Sequence, residues 1–250
     1  MVTASEIRRL QYHAPAPSPA QGTNMASMAV TKVYHISTFI WYFAIVYLLL
    51  IIPIEHPPAG VFLYAGQWKY LTFLNLFLQT IFNGICILAD FLGHVMWIRA
   101  LRDIIFSALA FPVGTFVVTS FWLLFSYDRA LVYPEGLDKL IPLWLNHAMH
   151  SIVLPVILLE LILTPHRYPK RRTGFLILGF ISLFYLLWIL WIYSATGKWV
   201  YPFLGLFSPL HLMSFISASV VLVNLLYLLG EKLTLLIWGT VEKAKQRKRK

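Results

Sequence analysis

Apolar residues gather into six runs along this chain, at roughly 35–54, 70–90, 104–125, 140–163, 174–195 and 209–229. Each approaches the ~20 residues that an α-helix needs to cross ~30 Å of hydrocarbon. None alternates with period two, as barrel strands do, so helices are the way left to pair every backbone group in lipid. The pattern predicts an all-α, polytopic transmembrane bundle of about six helices. Residues 1–34 read as a disordered extension, because His13-Ala14-Pro15-Ala16-Pro17-Ser18-Pro19 is Pro-rich and cannot build a core. No apolar core precedes residue 35, which argues against a secretory signal peptide. Residues 35–238 then form the membrane domain, and 239–250 a polybasic tail.

Polar residues inside these runs carry more information than the runs themselves. In the second, Thr72, Asn75, Gln79, Asn83, Cys86 and Asp90 fall within an arc of about 80° on a helix. A stripe of that width faces protein or a cavity rather than acyl chains, and its plainest use is interhelical hydrogen bonding. The fourth run is interrupted by Pro142, Asn146, His147, His150 and Pro155, which predicts a kink or a re-entrant stretch. Asn146, His147 and His150 project to one side of that helix. Ionisable groups at membrane depth mark functional sites, and histidine can take a proton, give one or bind a metal.

Composition supports the membrane reading. Of 250 residues, 59% are hydrophobic and 12% charged, against about a quarter charged in soluble domains. The net charge of +10 invites a nucleic-acid partner, but its distribution points to a bilayer instead. All the lysines and arginines except Lys69, Arg129, Lys139 and Lys198 fall on one side of the predicted spans. The positive-inside rule then places both termini in the cytosol, where the tail leans on anionic head groups. The single cysteine, Cys86, excludes an intrachain disulfide and any multi-cysteine metal site.

Several roles compete for the buried histidines. One is general base to a hydroxyl nucleophile, giving an acyl-transfer site. Another is metal ligation by His147 and His150, for which no further His or Cys cluster supplies the remaining positions. A third is axial haem ligation, which needs an opposing histidine and finds only His35 and His211, both near predicted helix ends. A non-catalytic membrane regulator or adaptor is the alternative from another class. Residue chemistry alone leans to acyl transfer.

Seven stretches in order carry a resemblance: WKYLTF (68–73), GICILAD (84–90), LAFPVGTFVVTSFWLLFSYDRALVYP (109–134), WLNHAMHSIVLPVILLE (144–160), HRYPKRRTG (166–174), GKWVYPFL (197–204) and NLLYLLGEKLTLLIW (224–238). Together they resemble the androgen-induced family of multipass membrane hydrolases. The resemblance implies a threonine hydrolase that cleaves fatty acid esters of hydroxy fatty acids, with no cofactor and no metal. It places the nucleophile at Thr72 and the base at His150, the second histidine of Asn-His-X-Met-His, and gives His147 no role. Asn75 stands where some members have aspartate, and Ala130 where glutamate is frequent; both departures bear on substrate preference. Asn75 and Asn146 are candidate oxyanion donors. Lys69, one turn from Thr72, is expected to snorkel to the interface and hold a substrate carboxylate, with Arg129, Lys139 and Lys198 as its neighbours in that role. The expected location is a multi-pass protein of the endoplasmic reticulum or plasma membrane, whose partners are lipid esters and the bilayer.

Overall fold

The computed structural model describes residues 25–51, 64–133, 137–138 and 140–247. Among these described residues eight α-helices follow one another: α1 (Met25–Ile51), α2 (Leu71–Phe91), α3 (Met96–Ile105), α4 (Phe111–Tyr127), α5 (Leu143–His150), α6 (Val153–Leu163), α7 (Arg171–Thr196) and α8 (Pro209–Arg247). No strand occurs among the described residues. Because α3 continues into α4 and α5 is followed closely by α6, these make six segments long and apolar enough to cross a membrane. The all-α polytopic bundle read from the sequence is the fold found. The end of the tail (residues 248–250), most of the N-terminal extension (residues 1–24) and Lys139 lie outside the described residues.

Boundaries differ from the apolar runs in ways that have causes. Helix α1 reaches back to Met25 through Met-Ala-Ser-Met-Ala, residues of good to fair helix propensity. The third span starts at Met96 rather than 104, because Arg99, Arg102 and Asp103 lower the local hydropathy without breaking the helix. A π turn over Phe106–Ala110 joins α3 to α4 just ahead of Pro112, whose missing N–H cannot continue the ladder. In the fourth span the predicted kink falls at Ser151–Ile152. The N–H groups of both residues donate to the His147 carbonyl, at 2.8 and 3.0 Å. Pro155 lies in the first turn of α6, where a missing N–H does no harm.

Helix α4 is the axis of the packing, touching α2, α5, α6 and α8, while α1 lies along α2. Gly114 makes the close approach possible. A Cβ there would strike Ile157 Cδ1 and sit 2.9 Å from the Gln79 amide, so α2, α4 and α6 meet over a bare backbone. Close packing through small residues replaces, in lipid, the hydrophobic drive of soluble cores. Helices α7 and α8 bury little of their length and turn side chains such as Phe180, Phe184, Leu210 and Met213 outward. Such faces suit contact with acyl chains.

Candidate functional site

The polar stripe of α2 does face protein. Asn75, Gln79, Asn83 and Cys86 are buried, and Thr72 is half-buried. Three members make hydrogen bonds to other helical segments: the Gln79 amide donates to the Ala110 carbonyl at 3.0 Å, the Asn83 oxygen accepts from Thr38 at 2.5 Å, and Asp90 pairs with His35 at 2.7 Å. Thr72 is the second residue of α2. Its mount is set by aromatic side chains from elsewhere. The Leu71 N–H, an orphan donor of the first helical turn, donates to the Tyr201 hydroxyl at 3.0 Å. Tyr185 donates to the Lys69 carbonyl at 3.1 Å, and the Trp188 indole to the Trp68 carbonyl at 3.2 Å. Residues 68–71 are thereby tied to α7 and to the segment before α8.

His150 ends α5, a helix packed against both α2 and α4. Its ring stacks on Phe121 at 3.5 Å and 7°, and the Trp122 indole caps its carbonyl at 2.9 Å. His147 is exposed, lies over Trp122, and shares a hydrogen bond with Ser151 at 2.9 Å. The two histidines therefore do not converge on one metal. His150 and His35 do not face one another across a haem either, because His35 is enclosed by carboxylates elsewhere in the bundle.

Thr72 and His150 sit at neighbouring levels. Gly114 lies beside both Asn75 and Gln79 of α2, and Phe121 marks the level of His150. Seven residues of α4 against three to seven of α2 leave an axial offset of at most about 6 Å at ~1.5 Å per residue. No hydrogen bond joins the pair among the described residues. Around them, however, His150 Nδ1, Asn146 Oδ1, Asn75 Nδ2 and Thr115 Oγ1 are all buried without a hydrogen-bond partner. Such atoms are scarce in folded proteins, and each calls for an explanation such as a bound ligand.

Two openings flank this region. One, of ≈ 190 Å³, is lined by Tyr64, Lys69, Thr196, Lys198 and Trp199 among others. The second, of ≈ 210 Å³, has Asn146 in its wall beside Arg129, Tyr133 and Asp138. Neither of these two is lined by Thr72 or His150. Lys69 does not snorkel outward as expected: it is 5% exposed, with its ammonium 5.3 Å from the centre of the Tyr70 ring. Burial lowers its pKa from the ordinary lysine value. Arg129 is held by Asp138 in a two-toothed ion pair at 2.8 and 2.7 Å.

A second polar cluster went unread in the sequence. It runs Asp90···His35 (2.7 Å), His35···Glu160 (2.9 Å), Glu160···His166 (2.8 Å), His166···Asp103 (3.2 Å) and Asp103···Arg102 (2.7 Å). Four helices and the loop after α6 contribute to it. Its available signal was the intramembrane Glu160, which ought to have a partner.

A family model described as FAR-17a/AIG1-like protein matches residues 30–235. The chain belongs to the FAR-17a/AIG1-like family. Among its relatives, the human androgen-dependent TFPI-regulating protein is 41% identical over 88% of this chain and 98% of its own. The mouse protein of the same name is 43% identical over 87% and 97%. Human androgen-induced gene 1 protein is 42% identical over 75% of this chain and 84% of its own. No solved structure matches. The FAR-17a/AIG1-like match takes in both polar clusters and stops short of the polybasic tail.

Proposed function

We propose that this protein is a membrane-embedded hydrolase of fatty acid esters of hydroxy fatty acids, with Thr72 as nucleophile and His150 as base. The observation that carries the reading is the buried, unpartnered Nδ1 of His150 on a helix packed against the one that bears Thr72. A threonine hydroxyl attacks an ester once a base takes its proton. His150 accepts that proton, the Thr72 oxygen bonds to the ester carbonyl carbon, and the tetrahedral intermediate collapses. The departing hydroxyl oxygen of the hydroxy acid takes the proton from His150, leaving an acyl-threonine. Water then attacks, again losing a proton to His150, and the fatty acid leaves as Thr72 regains its hydrogen.

The unpartnered atoms fit separate tasks in this scheme. Asn75 Nδ2 is a donor one turn from Thr72, as an oxyanion requires. Asn146 Oδ1 is an acceptor one turn from His150, suited to holding the attacking water. Lys69 and Lys198 share the lining of one opening and can hold a free carboxylate there, whereas Arg129 is already neutralised by Asp138. With both termini cytosolic, as the basic asymmetry implies, the site lies in the non-cytosolic leaflet. Glycosylation acceptors placed at 196–208 are then modified and those at 164–173 are not.

The deciding assay uses purified protein and a panel of lipid esters, free acids beside their methyl esters. Wild type hydrolyses the hydroxy fatty acid esters, and Thr72→Ala is inactive while still inserting in the membrane. Hydrolysis by Thr72→Ala within about tenfold of wild type, only ~1.4 kcal/mol of barrier, removes the threonine from the mechanism. A panel on which wild type cuts nothing favours a non-catalytic regulator.

A further inference from the structure

We propose that His35, Cys86 and Glu160 form a binding site for a divalent transition-metal ion of the zinc class. The three residues come from α1, α2 and α6, and all are buried. One donor atom of each lies within 4.8 Å of the others. Zinc bonds imidazole nitrogen at ~2.0–2.1 Å, carboxylate oxygen at ~2.0–2.2 Å and thiolate at ~2.3 Å, so seating an ion needs His35 and Glu160 to part slightly from their 2.9 Å contact and the Cys86 sulfur to move in towards them. A thiolate in the set selects zinc-class ions over magnesium or calcium.

The outer shell is already in place. Metal-bound histidines present their second nitrogen to a carboxylate or carbonyl, which fixes the ring. Here His35 Nδ1 lies 2.7 Å from Asp90, leaving Nε2 aimed at Glu160. The second oxygen of Glu160 is held by His166 at 2.8 Å, and His166 in turn by Asp103. Cys86 is the unexplained member: a fully buried thiol that makes no hydrogen bond among the described residues.

Charge is conserved through the exchange. A divalent ion replaces the proton in the His35–Glu160 hydrogen bond and the thiol proton of Cys86, both of which pass to solvent, so two positive charges leave as two arrive. Cys86 lies about 21 Å along α2 from Thr72 at ~1.5 Å per residue, so this site and the hydrolytic one stand or fall separately.

The test uses full-length protein in detergent or nanodiscs, loaded with zinc, desalted, and assayed for metal by mass spectrometry. Wild type and Thr72→Ala each retain about one zinc per chain, and Cys86→Ser, a near-isosteric change, loses at least tenfold. Loading with cobalt instead gives wild type a thiolate-to-metal charge-transfer band in the near ultraviolet, absent in Cys86→Ser. Wild type that retains no zinc above a blank, cobalt-loaded wild type without the band, or Cys86→Ser that keeps wild-type stoichiometry overturns the site. The cluster is then a metal-free network of ion pairs.

Discussion

Two buried polar regions share this bundle and keep opposite accounts of their hydrogen bonds. Along Asp90, His35, Glu160, His166, Asp103 and Arg102, every ring nitrogen meets a carboxylate. Around Thr72 and His150, four buried polar atoms meet no partner among the described residues. Both regions are expensive to bury, but for different reasons. The first recovers the cost of desolvation within the protein, so it holds helices together. The second recovers nothing until something binds. Histidine appears in each, and its neighbours, not its identity, tell structure from chemistry.

That contrast breaks most readily at its strongest point. Glu160→Ala leaves two histidines without their shared carboxylate and lowers stability by about 3–5 kcal/mol, read as a fall in the midpoint of thermal unfolding in detergent. Asn146→Leu, at the other region, shifts that midpoint little, because no hydrogen bond is lost. Equal effects of the two substitutions erase the distinction between the regions. Activity reverses the order. His150→Ala reduces ester hydrolysis by ~10²–10⁴, the usual contribution of a general base, while exposed His147→Ala costs less than about tenfold. Similar losses at the two histidines point to shared ligation instead.

Between the regions stands Gly114. Gly114→Val overpacks the meeting of α2, α4 and α6 and costs about 1–3 kcal/mol, with Thr72 and His150 pushed apart. Activity then falls further than the unfolding midpoint alone accounts for, and a proportionate fall means that the crossing does not set the spacing. The smallest expected effect concerns substrate choice. Lys69→Ala narrows the preference for free-acid substrates over their methyl esters without stopping turnover. Since burial lowers the Lys69 pKa, wild-type preference fades with rising pH earlier than an ordinary lysine dictates. A preference unchanged by the substitution and flat across that range assigns selection to acyl-chain packing.

The parts legible in the sequence were those that lipid enforces locally. Run length gave the spans, the arc of polar residues on α2 gave its buried face, and Pro155 gave the break in the fourth span. The catalytic candidates came from the family resemblance laid over those constraints. What escaped lies in pairings between distant residues. His35 meets Asp90 and Glu160 across 55 and 125 positions, and no periodicity announces such a meeting. Tyr185 and Tyr201 carry no signal in the sequence, yet they fasten the start of α2. Snorkelling predicts that Lys69 reaches water, as long amines usually do; instead it is buried beside the Tyr70 ring.

The step at Ser151–Ile152 bears on how such a molecule can change over generations. In one continuous helix, His150 and Glu160 would be locked in rotation about 80° apart. The step releases that phase, so each half of the span takes the orientation its own neighbours require. A residue replaced in the outer turn can re-aim one imidazole without turning the carboxylate beyond it. Two tasks written on a single segment thus drift independently, as letters on separate rings of a combination lock do.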